Sequence, residues 1–203
     1  MANKCRIAVL VSGGGTNLQA LIDAQGRGEI ASGEIALVIS NKADAYALKR
    51  AEKAGIPAVV ITKKGCGGDQ EAFEEAIMAQ LAACDIDLIV LAGFMSILSQ
   101  RFTDAYEKRI LNVHPSLIPA FCGEGFYGLR VHRAALDYGV KVTGATVHYV
   151  NEIPDGGEII LQKAVAIEAG DTPETLQRRV MEQAEWQILP QAVEIVSQKI
   201  AED

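Results

Sequence analysis

The sequence has little with which to hold a metal ion. Its 203 residues include three histidines and four cysteines. Cys5, Cys66, Cys84 and Cys122 are spaced too widely for a CxxC pair, so a tetrahedral zinc set is hard to assemble from them with His114, His132 and His148. The cysteines read as reduced thiols, and no metal is expected. Uninterrupted apolar runs never approach the length of about 18 residues that argues for a membrane helix. The opening MANKCRIAVLVSGGG passes into a glycine loop without a signal-peptide cleavage site, so a soluble, cytoplasmic protein without membrane partners is expected. Cations are the minority charge: 19 Lys and Arg against 26 Asp and Glu give a formal net charge of -7. Phosphate-backbone affinity comes from dense Lys and Arg, so nucleic acid and anionic membranes are disfavoured, and a small anionic ligand stays open. Repeats, low-complexity tracts and linkers are absent, which makes 1–203 a single domain.

The composition is otherwise that of a globular protein, with 49% hydrophobic and 22% charged residues. A chain of this length buries roughly 70% of its unfolded surface, so its core needs no disulfide support. Apolar β-branched runs alternate with helical patterns: Arg6 to Val11 then Leu18 to Ala24, Glu34 to Ile39 then Ala45 to Ala54, and Ala58 to Ile61 then Gln70 to Ala83. Asp85 to Ala92 follows, then a short helix near Leu98 to Tyr106 and a strand at Arg109 to Val113. Continuous Val, Ile and Leu strands separated by helices imply a doubly wound, Rossmann-like α/β fold with a mostly parallel sheet covered on both faces. The pattern changes after Pro115. A glycine-rich loop, Cys122 to Gly128, leads into a helix. Lys141 to Val150 and Glu158 to Ile167 then read as an antiparallel hairpin turning at Pro154-Asp155-Gly156-Gly157. A closing helix runs from about Pro173 to Gln198, and Pro190 is expected to kink or split it.

Three motifs carry chemistry. In Ser12-Gly13-Gly14-Gly15-Thr16-Asn17, glycines let the backbone approach an anion, and the free N–H groups of a helix start can bind phosphate with help from Thr16 and Asn17. A dinucleotide fingerprint fits poorly because Leu18 takes the third glycine position and the second strand ends Ser40-Asn41-Lys42 without a ribose-binding acid. No GK[ST] is present, so a terminal monophosphate suits the loop better than ATP; a plain strand-to-helix turn is the alternative. In Asn112-Val113-His114-Pro115, period-two alternation puts Asn112 and His114 on one face at a strand end, where an amide and an imidazole could stabilise an oxyanion. In Asn151-Glu152-Ile153-Pro154-Asp155-Gly156-Gly157, Asp155 is a simple turn residue unless the loop folds over His114, where it would raise the His pKa and suit general acid work. Leu91 to Leu98 ends the longest core strand and is either core or the wall of a flat apolar slot. Glu182 and Glu185 on the last helix read as a solvated face.

In chain order, SGGGTNLQAL, DLIVLAGFMSIL, NVHPSLIPAF, and GATVHYV followed by DGG resemble the phosphoribosylglycinamide formyltransferase family over essentially the whole chain. The resemblance implies transfer of the formyl group of 10-formyltetrahydrofolate, as co-substrate, to the amine of 5-phosphoribosylglycinamide in purine synthesis. It implies an N-terminal phosphate-binding half (1–110) and a catalytic, folate-binding half (111–203). Gly15, Thr16 and Asn17 match the phosphate segment, and Glu185 the acid near the ribose hydroxyls. Asn112 and His114 match the pair that polarises the formyl carbonyl, and Asp155 the carboxylate that keeps the His protonated. Met95, Ser96, Ile97 and Leu98, with Asn112 and the loop Asn151, Glu152, Ile153, Pro154 and Asp155, match the folate pocket. A monomer or homodimer is expected.

The chain departs from that family in four places. Ser96 and Gln70 stand where arginines can occur, leaving Lys63 or Lys64 for the folate tail. Phe121 to Gly128 is longer than in some members, and Ala184 is an extra helix residue before Glu185-Trp186. Related alternatives are formyltetrahydrofolate deformylase and methionyl-tRNA formyltransferase. Each carries an extra domain that 203 residues are not expected to hold. A non-catalytic phosphate-binding module would use the glycine loop alone.

Overall fold

A computed structural model describes residues 4–202. Seven strands form one sheet in the order β3-β2-β1-β4-β5-β6-β7: β1 Cys5–Val11, β2 Gly33–Ser40, β3 Ala58–Val60, β4 Leu88–Leu91, β5 Ile110–His114, β6 Val142–Tyr149 and β7 Ile159–Ala166. The first five are parallel, and β6 pairs antiparallel with both β5 and β7. The expected doubly wound sheet and C-terminal hairpin are both present.

Strand alternation builds two cores from one sheet. Ile7, Val9 and Val11 of β1, with Leu88 and Val90 of β4, face α1 (Thr16–Gly26), α2 (Tyr46–Lys53), α6 (Pro173–Val180) and α7 (Trp186–Glu202), and α5 (Leu129–Tyr138) packs against α6. Ala8, Leu10, Ile89 and Leu91 face α3 (Gln70–Ala83) and α4 (Gln100–Ala105). Because both faces of these strands are covered, their sequences read as unbroken apolar runs. In α3, Phe73, Ile77 and Leu81 recur every four residues and are fully or almost fully buried. The chain begins at β1, winds outward to β3, then crosses back to β4 on the other side of β1. This reversal opens a crevice at the carboxyl ends of β1 and β4, the place where open α/β sheets bind ligands.

The closing helix breaks in an unexpected place. Pro190 lies inside α7, which runs through it. The interruption comes one turn earlier, as a π-helical turn over Met181–Glu185 in which the Trp186 N–H reaches back to the Met181 carbonyl. A residue inserted into a helix that is packed at both ends is absorbed as a widened turn. The break lies at this π-helical turn, which contains Ala184, and not at the proline.

Candidate active site

The glycine loop leaves β1 at the crevice. Its three glycines end in Gly15, with φ +70°, as the residue before α1. A Cβ there would lie 2.6 Å from the Ala47 Cβ, so only glycine lets α2 sit this close. No side chain caps α1, which leaves its first-turn N–H groups free for an acceptor. Opposite them, the π-helical turn swings Glu185 inward: it is 6% exposed and accepts a hydrogen bond of 2.8 Å from Asn17 Nδ2. Burial pushes the Glu185 carboxyl up to about 7 against the opposing pull of the Asn17 bond. Glu182 is exposed, so the solvated-face reading holds for it and fails for Glu185. Gly15, Thr16, Asn17 and Glu185 therefore form one polar group. The Oδ1 of Asn17 is buried without a hydrogen-bond partner among the described residues.

The second group lies across the crevice. Asn112 and His114 of β5 sit opposite His148 and Thr146 of β6, which places all four on one face while Leu111 and Val113 enter the core on the other. The turn after β6 then brings Asp155 back over them. Asp155 has φ +57°, and a Cβ on Gly157 would fall 1.8 Å from the Tyr149 carbonyl oxygen, so the Asp-Gly-Gly turn closes only with glycine there. Asp155 Oδ2 is 3.3 Å from His114 Nδ1 and accepts from the Gly123 N–H at 2.9 Å. Its Oδ1 is 3.6 Å from His148 Nε2. Burial pushes the Asp155 carboxyl up, but the neighbouring His148, the Gly123 N–H and His114 outweigh it, and the net direction is down.

The long loop after His114 is also ordered by hydrogen bonds. Thr146 Oγ1 donates to the Ser116 carbonyl and accepts from the Ile118 N–H, and Ser116 Oγ donates to the Ala120 carbonyl. Phe121, left-handed at φ +51°, turns its carbonyl to His114 Nε2 at 2.9 Å. A carbonyl only accepts, so Nε2 carries a proton and Nδ1 faces Asp155. By the same reasoning, His148 Nδ1 donates to the Tyr149 carbonyl at 2.7 Å, and its Nε2 faces Asn112 Nδ2 at 3.2 Å. The expected upward shift of His114 is not what the environment gives. Burial lowers its pKa, and Asp155 and the Phe121 carbonyl only partly offset that.

A cavity of about 150 Å³ opens beside these residues. Leu91, Phe94, Ser96, Ile97 and Leu98 wall one side; Asn112, His148, Val150 and Asn151 to Asp155 wall the other. Leu91 to Leu98 thus contributes a slot wall at Leu91, Phe94 and 96–98. Met95 stands outside this lining: it is 53% exposed, and its N–H donates to Ser12 Oγ. That bond and the one from Asn41 Nδ2 to Ser96 Oγ tie the slot to the glycine-loop side of the crevice. At the rim, Gln70 Nε2 donates to the Ile97 carbonyl, and Lys63 Nζ donates to Gln70 Oε1 at 3.0 Å. His148 lines the slot although it lies outside the three motifs that carry chemistry. Only the β5–β6 register shows that it faces Asn112.

The formyl transferase family model matches residues 5–193. The chain is 47% identical over 185 residues to the phosphoribosylglycinamide formyltransferase of Haemophilus influenzae, covering 91% of this chain and 84% of that one. It is 48% identical over 194 residues to the human trifunctional purine biosynthetic protein adenosine-3, covering 96% of this chain and 18% of that protein. It therefore spans less than a fifth of this multi-activity relative. Among solved structures, glycinamide ribonucleotide transformylase 1 from Symbiobacterium toebii superposes with a TM-score of 0.89 at 44% identity, covering 97% of this chain and 89% of that one. The sheet order, the crevice and these matches place the chain in the formyl transferase family.

Proposed function

We propose that this protein is a phosphoribosylglycinamide formyltransferase, moving the formyl group of 10-formyltetrahydrofolate to the amine of 5-phosphoribosylglycinamide. The observation that carries the reading is the meeting of Asn112, His114 and Asp155 beside the slot walled by Phe94, Ser96 to Leu98 and Asn151 to Pro154. The phosphate-binding group at Gly15 to Asn17 lies across the same crevice. The folate enters the slot, and the sugar phosphate takes the free N–H groups at the start of α1. Glu185 accepts from the ribose hydroxyls. Lys63, held on Gln70 at the rim, faces the anionic folate tail.

The chemistry follows from where protons can sit. With its proton fixed on Nε2 by the Phe121 carbonyl, neutral His114 turns the Nδ1 lone pair toward the Asp155 carboxylate. Two acceptors face each other, and the pair is ready to take one proton. Attack of the substrate amine on the formyl carbon forms the new C–N bond and leaves the amine nitrogen cationic. The His114–Asp155 pair takes that proton. The resulting imidazolium stabilises the developing oxyanion by its charge, since its two N–H groups face the Phe121 carbonyl and Asp155, and the Asn112 amide, whose Nδ2 lies 3.2 Å from His148 Nε2 and 3.5 Å from Asp155 Oδ1 in the free protein, turns one N–H from Asp155 to that oxygen. Collapse breaks the bond from the formyl carbon to N10, and the proton passes to N10. Asp155 thus acts by keeping the imidazolium paired during the step. A His protonated beforehand is not required, in accord with the lowered pKa of His114.

The test is formyl transfer with purified protein, both substrates and an amine-free control, with His114→Ala and Asp155→Asn alongside. Turnover that depends on the amine and falls about 10²- to 10⁴-fold in His114→Ala, the usual range for a proton-transfer residue, is the expected result. Folate turnover without the amine indicates a deformylase instead. Wild-type turnover in His114→Ala removes that residue from the mechanism.

A further inference from the structure

The glycine loop is held from behind by α2. The Ala47 N–H donates to the Gly13 carbonyl at 3.0 Å, and Arg50 Nε donates to the Gly14 carbonyl at 2.8 Å. Arg50 Nη1 also donates to Gln19 Oε1 on α1 at 3.0 Å, and its guanidinium lies 5.1 Å from the Tyr46 ring centroid. The side chain therefore ties three pieces together: the loop, α1 and α2.

This bonding dictates where the loop's donors point. In a planar trans peptide the C=O and the following N–H are directed oppositely. Tying the Gly13 and Gly14 carbonyls to α2 turns the N–H groups of Gly14 and Gly15 away from α2. The Gly15 carbonyl is taken by the Gln19 N–H at 2.9 Å, so the Thr16 N–H points outward from the helix start. Three successive donors then present a concave anion cradle. Released, either peptide could rotate and place a carbonyl oxygen where a phosphate oxygen belongs. Glycines have the freedom to do so.

We propose that Arg50 is a positioning residue for the substrate's phosphate: it does not bind the anion but fixes the Gly14 peptide so that the loop's N–H groups converge on it. This rests on the phosphoribosyl reading above. The role belongs to the planar fork of arginine, which holds a carbonyl and a side-chain amide at once, and a lysine ammonium keeps the charge without the fork.

The experiment measures kcat, both KM values and kcat/KM in the wild type, Arg50→Met and Arg50→Lys, using 5-phosphoribosylglycinamide and its dephosphorylated riboside. The wild type is expected to favour the phosphorylated substrate strongly. Arg50→Met should lose about tenfold in kcat/KM for that substrate, the scale of one charge-assisted hydrogen bond. The loss should appear in its KM, with kcat, the folate KM and kcat/KM for the riboside unchanged, and Arg50→Lys should keep most of the defect. Equal losses on the two amine substrates would mean general damage to the fold and overturn the proposal. So would undiminished phosphate preference in Arg50→Met, or full recovery in Arg50→Lys, which would assign the effect to charge. A wild type that turns over both amine substrates equally overturns the phosphate site itself, and this role with it.

Discussion

Glu185 makes the free protein less stable than it could be, and Glu185→Gln measures by how much. The folded carboxyl holds its proton to about pH 7, whereas an unperturbed one releases it near 4.5. Between those values the native state binds more protons than the unfolded chain, so stability falls as pH rises. The penalty is absent below about pH 4.5 and complete above about pH 7. At about 1.4 kcal/mol per pH unit, the separation corresponds to about 3 kcal/mol. Glutamine is nearly isosteric, does not titrate, and retains an acceptor for Asn17 Nδ2, the bond seen at 2.8 Å. Urea unfolding of both proteins at pH 4 and pH 8 should therefore show near-equal stability at the lower pH and a more stable variant, by about 3 kcal/mol, at the higher. Other titrating groups are common to both proteins and cancel in the difference. A gap that is the same at both pH values would refute the claim that the folded state holds Glu185 protonated. The variant should also bind the phosphoribosyl substrate more weakly, since a stability deficit retained at a binding site is the usual trade of stability for function.

Three further outcomes are expected. If ribose hydroxyls donate to the Glu185 carboxylate, substrate binding lowers its pKa, and calorimetry between pH 6 and 7 in buffers of different ionisation enthalpy should detect proton release; a buffer-independent enthalpy would count against that contact. His132 is fully buried with neither ring nitrogen partnered among the described residues, and burial, with His114 nearby, pushes its pKa down to about 4. As pH falls from about 6.5 towards 4 the unfolded chain takes up this proton first, so about 3 kcal/mol present above pH 6.5 is lost on acidification; His132→Leu should flatten that part of the urea-measured pH profile, and an unchanged slope would show that His132 finds a partner. Phe121→Val places a β-branched residue at φ +51°, a strain of about 1–3 kcal/mol, and should lower kcat and shift the pH–rate profile by loosening the Phe121 carbonyl from His114 Nε2, whereas Phe121→Gly keeps the turn and should retain more of kcat; the reverse order would dissociate the turn from catalysis.

The parts of this molecule that were legible in its sequence are those decided by local pattern. Strands buried on both faces must be continuously apolar, so β1, β2 and β4 announce a covered parallel sheet; the expected Asp85 to Ala92 shrinks to Leu88–Leu91, since Asp85 is left-handed at φ +48° and the Ile86 N–H turns back to the Leu81 carbonyl of α3. Period-two alternation likewise places Asn112 and His114 together without further information. What sequence pattern leaves open is set by contacts between distant segments. Spacing gives Asp155 a turn, but its approach to His114 depends on how far the β6–β7 hairpin folds back. His148 faces Asn112 only because the antiparallel register pairs them.

The sign of the His114 shift shows the same limit. A carboxylate partner is visible in a motif and argues for a raised pKa, while desolvation comes from the whole surrounding shell and here outweighs the partner. Glu185 is the mirror case: read along a helix it belongs to a solvated face, yet at the end of the π-helical turn over Met181–Glu185 it is buried. In both cases the electrostatics relevant to function come from burial, the quantity a linear pattern encodes least. The proton chemistry therefore follows from the geometry around Phe121, Gly123 and the π-helical turn, three features that the sequence marks only as an elongated loop and an extra residue.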